Sequence, residues 1–378
     1  PIPIFVDSFG NLVLLTWEFI YKGSIRDFYP PADMIPASVH EFQVYAESLG
    51  DLDRAEQGKL INKIGSRIEP GALPGMIDLA FLCLHGADGE DGRIQGLLEY
   101  LRIPYTGSGI LSSAIGMNKA VQKELMSSAG FEVPRYSSIT REEWLTGKKE
   151  ELKKRTEAAA GYPCVVKAAN QGSSIGISIL QSGDDANFNT AMNRAFFIRE
   201  IQKAEWDALD FPGKISWIRE TCDIREGIGL PLMIGSRMFY HPEELLSVML
   251  DLFADNEQQL TLIARDGESE VLVESFISGK EFSCIVVEDE NGLPVALPPT
   301  EIRKGKELFD YRSKYLPGLS RKITPIQLPD DQIEAIRTSC EKLFSVLHFN
   351  VYARIDGFVS DDGRILLNDP NTTSGMMP

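Results

Sequence analysis

The side chains best suited to metal chemistry lie near the end of the chain, on two stretches that mix polar and apolar residues. Arg354 and Asp356 fall on the first stretch, and Asp369 and Asn371 fall on the second. The Ser-Asp-Asp-Gly turn between them predicts a hairpin, in which residues two apart share a face. Two carboxylates and an amide oxygen suit Mg²⁺, and a nearby arginine can hold a phosphate or an oxyanion. A solvated polar hairpin is the alternative, but the apolar residues between these positions favour a packed sheet with one polar face.

A second candidate is the glycine- and serine-rich stretch 172–176, which follows a predicted strand carrying Lys167. Backbone N–H groups and hydroxyls in such a loop, including those of Ser173 and Ser174, can bind phosphate oxygens. No GxxxxGK[ST] pattern occurs, so this is not a Walker A loop. Taken alone, the stretch is better explained as a plain β-turn, and Lys167 could extend to solvent as readily as bind an anion.

Three further polar residues lie beside predicted strands. His85 ends an apolar stretch and opens an acidic, glycine-rich loop, and ligands gather at the carboxyl ends of strands in parallel α/β sheets. Glu274 and Glu281 flank Ser-Phe-Ile-Ser-Gly-Lys, so one of them could accept hydrogen bonds from an adenine or a ribose. A structural histidine and surface carboxylates are the plainer explanations of the same residues.

The elements that must position these residues include both strands and helices. Ile77–Leu84 predicts a buried strand, and the strand–loop–helix–strand order that it begins is typical of a parallel α/β layer. Ser112–Ala129 and Ala191–Ala208 predict helices. Consecutive strands of one antiparallel sheet are predicted at Val271–Phe276, Phe282–Val287 and Val295–Leu297. Further expected elements are a hairpin at 2–15, helices at 242–252 and 330–347, and a closing hairpin at 351–368.

Composition narrows the class of protein. The 378 residues are enough for two or three cores, and the net charge of −17 argues against a nucleic-acid binder held by general electrostatics. A focused ATP site remains compatible with that charge. No apolar run is long enough to span a membrane. Five scattered cysteines without a CxxC pair predict structural thiols, buried where they lie in apolar strands, and a reducing compartment. The chain opens in a strand pattern without an initiator Met, so we expect further residues upstream.

Taken in order, five sequence blocks resemble the D-alanine–D-alanine ligase family. The blocks are His85–Gly96, Pro104–Gly109 with Met117–Lys119, Val166–Gly176, Phe309–Tyr315 and Asn368–Met376. The first is similar to the family's HGxxGEDGxxQG signature, and the third to its phosphate loop. The fourth resembles the loop that closes over the reacting groups, and the last resembles the metal segment. One block alone is moderately specific, whereas five in this order identify the family strongly.

The resemblance implies an α/β chain with the ATP-grasp fold. The expected parts are an N-terminal parallel α/β domain at 1–107, a small central ATP-binding subdomain at 108–274 and a C-terminal antiparallel-sheet subdomain at 275–378. The distance from the phosphate loop to Glu274 exceeds that of typical members, so we expect an insertion at about 185–262.

The resemblance also implies a role for each site residue. The ATP phosphates would be contacted by Lys119, Lys167, Ser173, Ser174 and Lys314, the adenine by Glu274 and Ile277, and the ribose by Glu281. Mg²⁺, or Mn²⁺ in its place, would be bound by Asp356, Asp369 and Asn371. The reacting groups would be served by Arg354 and Gly375 at the tetrahedral intermediate, Tyr315 with Ser173 in the closed loop, and His85 beside the first substrate.

Some positions depart from the family pattern. Asp369 stands where the family usually has glutamate, Ser275 where lysine is common, and Ser374 where proline is usual. The shorter carboxylate of Asp369 bears on bidentate metal binding, and Ser275 changes one adenine contact.

The expected activity is ATP-dependent ligation of two D-alanines through an acyl phosphate, which supplies a peptidoglycan precursor. The resemblance implies a cytoplasmic homodimer with small-molecule substrates and no nucleic-acid or membrane partner. Tyr315 favours an amine as the second substrate. Two alternatives remain: an ATP-grasp ligase that joins other amino or hydroxy acids, such as D-alanine and D-lactate, and a nucleotide-binding protein without turnover.

Overall fold

A computed structural model describes residues 1–172, 175–304 and 320–373, and its contacts divide the chain into two compact units. The first unit combines 1–77 with 197–267, and the second combines 78–196 with the residues from 268 onward. Most of the stretch expected as an insertion therefore folds with the N-terminal residues. The three-domain division that the sequence predicts stays a prediction.

The described strands and helices are numbered here in chain order. The strands are β1 (Ile4–Val6), β2 (Leu12–Leu15), β3 (Gly65–Ile68), β4 (Tyr136–Thr140), β5 (Cys164–Ala168), β6 (Ser178–Leu180), β7 (Ile198–Gln202), β8 (Leu232–Ile234), β9 (Arg237–Phe239), β10 (Gln259–Ala264), β11 (Glu270–Ser275), β12 (Gly279–Glu288), β13 (Pro294–Ala296), β14 (Thr300–Lys304), β15 (Ser320–Ile323), β16 (Tyr352–Ser360) and β17 (Ile365–Asn371). The α-helices are α1 (Trp17–Ile20), α2 (Arg54–Ile61), α3 (Arg93–Tyr100), α4 (Ile110–Met117), α5 (Lys119–Ser128), α6 (Arg141–Thr146), α7 (Lys149–Ala160), α8 (Asp185–Ala195), α9 (Lys203–Ala208), α10 (Phe211–Cys222), α11 (Pro242–Ala254) and α12 (Asp330–Val346).

The first unit is built on antiparallel sheets. Strands β1, β2 and β3 pair in that order, and β1 and β2 confirm the hairpin predicted at 2–15. A separate sheet has the order β7-β10-β8-β9 and lies wholly within 197–267. The helix predicted over Ala191–Ala208 is wrong, because α8 ends at Ala195 and β7 and α9 follow. Phe197 takes a positive φ of 57°, which interrupts the helix, and the buried residues Ile198 and Ile201 pair with β10 instead.

The second unit holds the predicted site. One antiparallel sheet has the order β4-β11-β5-β6, and another has the order β15-β14-β12-β16-β17 with β13 beside β12. The prediction of β11, β12 and β13 as strands is confirmed, but placing β11 in one sheet with the other two is wrong. Helix α12 packs its apolar face on the second sheet, where Ile336, Cys340 and Leu343 are fully buried. The helix predicted at 330–347 and the closing hairpin are both confirmed.

The prediction of a buried strand at Ile77–Leu84 is wrong. The only described ladder contact of this stretch is a parallel bridge between Ala80 and Tyr105, and Leu79 and Phe81 are 57% and 63% exposed. Cys83 is exposed as well, contrary to the prediction of a buried thiol, whereas the other four cysteines are buried and free. Alternate residues of the stretch point outward, so an apolar run that suggested burial on both faces is covered on one.

The predicted helix Ser112–Ala129 consists of α4 and α5, which are separated at Asn118. This residue adopts an extended conformation with φ −102° and ψ 102°, and its side chain accepts a hydrogen bond from the Val121 N–H at 3.0 Å. Asn118 therefore caps a new helix that begins at Lys119. Among the described residues, no helix combines the length and the apolar content needed to cross a bilayer.

Candidate active site

The hairpin of β16 and β17 gathers the polar residues predicted to bind metal. Asp356 pairs directly with Asp369, and Arg354 pairs with Asn371. Directly opposite residues of an antiparallel pair share a face, and so do residues two apart on one strand. All four side chains therefore lie on one face of the sheet. The Arg354 guanidinium donates from Nε to both oxygens of Asp356 at 3.2 Å, and its Nη2 lies 3.0 Å from Oδ2.

A bulge in β17 makes this arrangement possible. Near the turn, Gly357 pairs with Leu367, whereas the next pair is Asp356 with Asp369, so Asn368 is an extra residue in the ladder. A regular ladder would pair Asp356 with Asn368 and would turn Asp369 to the opposite face. The bulge thus brings the two carboxylates to one side and leaves Asn368 available to another partner.

That partner is Lys123 of α5, a helix whose buried face carries polar side chains. Lys119, Gln122 and Lys123 are all buried, and their spacing places them on the side of the helix that meets β17. Lys123 Nζ donates to Asn368 Oδ1 at 2.8 Å, and Gln122 Nε2 donates to the Pro370 carbonyl at 3.0 Å. The helix therefore supports the strand that carries Asp369.

Lys119 and Lys167 bring two ammonium groups to the same region. Lys119 Nζ lies 3.9 Å from Asp369 Oδ1, and Lys167 Nζ lies 2.8 Å from Glu274 Oε2. Glu274 also approaches Lys123, with 3.4 Å between Oε1 and Nζ. These contacts connect β5, β11, α5 and β17 through buried charges, and they join the residues predicted for adenine, phosphate and metal in one cluster.

Burial and charge together set the ionisation of this cluster. Complete burial lowers the pKa of Lys123 to about 8, although the nearby Glu274 carboxylate opposes the shift. Burial alone would raise the pKa of Glu274, but the ammonium groups of Lys123 and Lys167 outweigh it and the pKa is lowered. Glu274 is therefore a buried carboxylate at neutral pH. Its Oε1 is buried, makes no hydrogen bond of good geometry among the described residues, and has the Lys123 ammonium group 3.4 Å away.

Asn170 and Gln171, which precede the glycine-rich stretch, are each hydrogen-bonded to a buried charged side chain. Lys119 Nζ donates to the Gln171 carbonyl at 2.8 Å, and Glu268 Oε2 accepts from the backbone and side-chain nitrogens of Asn170 at 3.2 and 3.0 Å. Ser173 and Ser174, the predicted phosphate contacts of this stretch, lie outside the described residues. The same applies to Lys314, Tyr315 and Gly375.

His85 lies at the start of the acidic loop, with half of its side chain exposed. Its Nδ1 is 3.6 Å from Glu90 Oε1. Glu90 also accepts a hydrogen bond from the Gly86 N–H at 2.6 Å and one from the hydroxyl of Thr373, two residues beyond the end of β17. Glu90 therefore links the His85 loop to the segment that follows Asp369 and Asn371.

Two predicted nucleotide contacts lie beside this cluster on neighbouring elements. Ile277 lies in the connection between β11 and β12 and is partly exposed. Glu281 lies on β12, paired with Phe358 of β16 and Ile302 of β14. Their roles at adenine and ribose stay predictions.

The residues present fit a divalent cation and an anionic nucleotide. Within the described ranges, no group of three or more His, Cys, Asp or Glu side chains is placed to hold a metal, so the candidate ligands are two carboxylates and the Asn371 amide. Hard oxygen donors in this number suit Mg²⁺ that also binds phosphate oxygens and water. Lys119 supplies positive charge beside Asp369, and Lys167 supplies it at the neighbouring Glu274, as the binding of phosphate groups requires.

Sequence reasoning missed Lys123, Glu268, Glu90 and Thr373. Lys123 follows Lys119 by four residues on a predicted helix, so spacing alone could have placed both ammonium groups on one face. Glu90 lies within the loop that His85 opens and could have been considered with it. Glu268 and Thr373 carry no comparable signal, since each gains its partner only through tertiary folding.

Comparison with known proteins finds two family models that match this chain. The model described as D-ala D-ala ligase C-terminus matches residues 125–200 and 254–378, and the model described as D-ala D-ala ligase N-terminus matches 34–108. The break in the first match falls within 185–262, the stretch expected as an insertion.

Individual relatives agree with these matches. A D-alanine–D-alanine ligase of Geobacillus thermodenitrificans is 31% identical over 302 residues, which cover 80% of this chain and 63% of the relative. One from Pelotomaculum thermopropionicum is 32% identical over 300 residues, which cover 79% of this chain and 71% of the relative. The chain thus spans less than two thirds of the length of the first relative.

A solved structure supports the fold. The VanG D-Ala:D-Ser ligase from Enterococcus faecalis matches with a TM-score of 0.54 and 25% identity, over 79% of this chain and 64% of that one. The predicted ATP-grasp fold is confirmed, although the described residues show parallel pairing near the N-terminus only at the Ala80–Tyr105 bridge. By the two family models and the coverage of its relatives, this chain belongs to the D-alanine–D-alanine ligase family.

Proposed function

We propose that this protein joins two D-alanines in an ATP-dependent reaction that passes through an acyl phosphate and supplies a precursor of peptidoglycan. The observation that carries the proposal is the pairing of Asp356 with Asp369 on one face of the hairpin, with Lys119 3.9 Å from Asp369. Carboxylates for a metal and an ammonium group for phosphate are the parts that phosphoryl transfer requires. The names of the relatives supply the substrate.

The nucleotide is assigned to the buried lysines and their surroundings. Lys119 and Lys167 would meet its phosphates, and Glu274, which lies 2.8 Å from Lys167, would meet the adenine. Asp356, Asp369 and Asn371 would hold Mg²⁺, or Mn²⁺ in its place. When bound, the ion supplies positive charge that offsets the charge of the phosphoryl group.

The reaction has two steps because a carboxylate is a poor electrophile. An oxygen of the first D-alanine's carboxylate forms a bond to the γ-phosphorus of ATP, and ADP leaves. The amine of the second D-alanine then attacks the activated carbonyl carbon, loses a proton, and inorganic phosphate leaves. Arg354 is assigned to the oxyanion formed in the second step, since a guanidinium can donate to more than one partner. His85 is assigned to the neighbourhood of the first substrate.

The test is phosphate release by the protein with ATP and Mg²⁺, in the absence of amino acid and with D-alanine or L-alanine. We expect release only with D-alanine, together with D-alanyl-D-alanine in the products. Nucleotide hydrolysis without a dipeptide, or no turnover with any amino acid, would overturn the proposal.

A second candidate is ligation of D-alanine to another acid, and similarity to a D-Ala:D-Ser ligase favours D-serine. The same assay therefore includes D-alanine with D-serine and D-alanine with D-lactate. Formation of a mixed product in excess of D-alanyl-D-alanine would support this second candidate.

The proposed partners are ATP and D-alanine, and the proposed site of action is the cytoplasm, where both are available. We further propose a homodimer, as the family resemblance implies. Light scattering of the purified protein gives its mass directly, and a monomer at assay concentration would overturn the dimer.

A further inference from the structure

Arg141 contacts the two stretches of the second unit that lie on either side of residues 197–267 in the sequence. The second unit is interrupted after Phe196 and resumes at Glu268. Arg141, the first residue of α6, contacts both sides of this junction: its Nη2 donates to the Phe196 carbonyl at 2.8 Å, and its backbone N–H donates to the Ser269 carbonyl at 2.8 Å. Within the second unit, the stretch that ends at Phe196 and the stretch that resumes at Glu268 are therefore held together at one residue.

Glu268 lies at this junction and is almost fully buried, with 3% of its surface exposed. Burial raises the pKa of its carboxyl group, whereas hydrogen bonds from Asn170 and the charge of Lys119 act in the opposite direction. Its Oε2 accepts from both nitrogens of Asn170. Burying a carboxylate is costly unless it is hydrogen-bonded, so the two hydrogen bonds from Asn170 help to hold Glu268 in this buried position.

Asn170 leads into the glycine-rich stretch, and the residues on either side of it, Ala169 and Gln171, both accept hydrogen bonds from Lys119. The Lys119 N–H donates to the Ala169 carbonyl at 3.0 Å, and its Nζ donates to the Gln171 carbonyl at 2.8 Å. Glu268 thus binds Asn170, and Lys119 binds the residues on either side of it, all within the short segment 169–171. A shift of Glu268 would move the carbonyl that orients the Lys119 ammonium group.

We propose that Glu268 is a positioning residue for nucleotide binding, which fixes Asn170 and, through Gln171, directs the ammonium group of Lys119 toward the phosphates. The inference rests on the proposed function, because it gives Lys119 a nucleotide to bind.

The test measures nucleotide binding apart from turnover. Binding of a non-hydrolysable ATP analogue is followed by calorimetry in the wild type, Glu268→Ala, Glu268→Gln and Asn170→Ala, and KM values are measured for ATP and D-alanine. We expect Glu268→Ala to weaken analogue binding and to raise the KM for ATP at least tenfold, with the KM for D-alanine changed less than twofold. Glu268→Gln keeps one acceptor oxygen and should fall between the wild type and the alanine variant.

A double variant and a matched control separate positioning from a general loss of structure. Asn170→Ala should reproduce the effect of Glu268→Ala, and combining these two substitutions should weaken binding little further, since each removes the same contact. Glu270→Gln, two residues along and partly exposed, should bind the analogue like the wild type. Equal binding by all folded variants, or equal rises in both KM values, would overturn the inference. A wild type that binds no analogue would instead overturn the proposed function.

Discussion

The residue with the clearest chemical assignment is Asp356, because its carboxylate pairs with Arg354 and the residue lies directly opposite Asp369 in the ladder. We expect Asp356→Asn to lower kcat on the order of 100-fold or more, since a neutral amide holds Mg²⁺ less well. The side chain is partly exposed and its ion pair contributes little to stability, so Tm should change by no more than about 2 °C. Phosphate release over a range of Mg²⁺ concentrations, with a thermal melt, checks both expectations.

Asp361, an exposed carboxylate in the turn of the same hairpin, offers a matched control. Asp361→Asn changes the net charge by the same amount without touching the candidate site, and it should retain wild-type kcat. Equal activity in the two variants would remove Asp356 from the metal site.

Lys123 gives a prediction about stability and pH. Its pKa is lowered from 10.5 to about 8 in the folded protein by burial, so the unfolded chain holds the proton more tightly between these values. The contribution of Lys123 to the free energy of unfolding therefore rises as pH increases from about 8 toward 10.5. Relative to Lys123→Met, the wild type should gain about 2 kcal/mol in unfolding free energy between pH 7 and pH 10.

Denaturant unfolding of both proteins at the two pH values measures this difference, because titration of all other groups cancels in the comparison. The same slope in wild type and variant would mean that Lys123 is not desolvated as the structure describes. A smaller difference than expected would point to stronger pairing with Glu274, which lies 3.4 Å away.

At the scale of the element, the hairpin depends on Gly357, which lies beside the bulge. A Cβ at this position would come within 2.6 Å of Phe282 Cζ and 2.7 Å of the Leu366 carbonyl oxygen. Because the Phe282 ring is fully buried, neither neighbour can move freely. We expect Gly357→Ala to cost about 1–3 kcal/mol in unfolding free energy and to lower kcat by displacing Asp356.

Gly58 in helix α2 is the control for this substitution. A Cβ there meets nothing within 4 Å, so Gly58→Ala should leave activity unchanged and should stabilise the protein by up to about 1 kcal/mol. Chemical unfolding and the ligation assay are measured on both variants. A stable, fully active Gly357→Ala protein would show that the bulge tolerates a side chain.

The hairpin also shows how far the sequence could lead. Its two strands are adjacent in the chain, so polarity and a short turn were enough to predict it. The bulge was not predictable, because the choice between pairing Asp356 with Asn368 or with Asp369 depends on contacts from α5. The break at Asn118 lies in a stretch with helical spacing throughout, yet the local hydrogen bond to Val121 is favourable enough to begin a new helix.

Local patterns were least informative where distant segments decide the structure. Leu79 and Phe81 belong to an apolar run that predicts burial, but the described chain covers only one of its faces. Ala191–Ala208 has helical spacing, yet β7 forms within it because β10, some sixty residues later, pairs with it. Both errors have one cause: periodicity reports which residues are apolar, and it does not report which partner strand is present.

At the scale of the whole molecule, the first unit joins two stretches that are far apart in sequence. Ser38 and His40 come from the N-terminal stretch, and Glu243 comes from the first turn of α11 in the segment 197–267. The Glu243 carboxylate accepts from Ser38 Oγ at 2.7 Å and from the His40 N–H at 2.8 Å, and its other oxygen lies 2.7 Å from His40 Nδ1. The Glu243 side chain thus links the segment 197–267 to residues 1–77 by hydrogen bonds within this unit.

Opposing effects act on the Glu243 carboxyl group. Burial raises its pKa, but hydrogen bonds from His40 and Ser38 outweigh burial, so the pKa lies below the ordinary value of 4.5. Because the folded pKa is the lower one, the stability from this group is present above pH 4.5 and is lost as pH falls through the folded pKa. The attachment of the segment should therefore weaken in acid.

We expect Glu243→Ala to speed amide hydrogen exchange about tenfold at residues 38–42 and in the first turns of α11, since losing these hydrogen bonds costs about 1–3 kcal/mol locally. Exchange in β16 and β17, which belong to the second unit, should stay unchanged. Glu244→Ala is the control, because the neighbouring Glu244 bonds to Arg237 in an exposed position and should exchange like the wild type. If both variants exchange alike, Glu243 does not fasten the segment. Loss of protection in β16 and β17 as well would contradict an effect confined to the first unit.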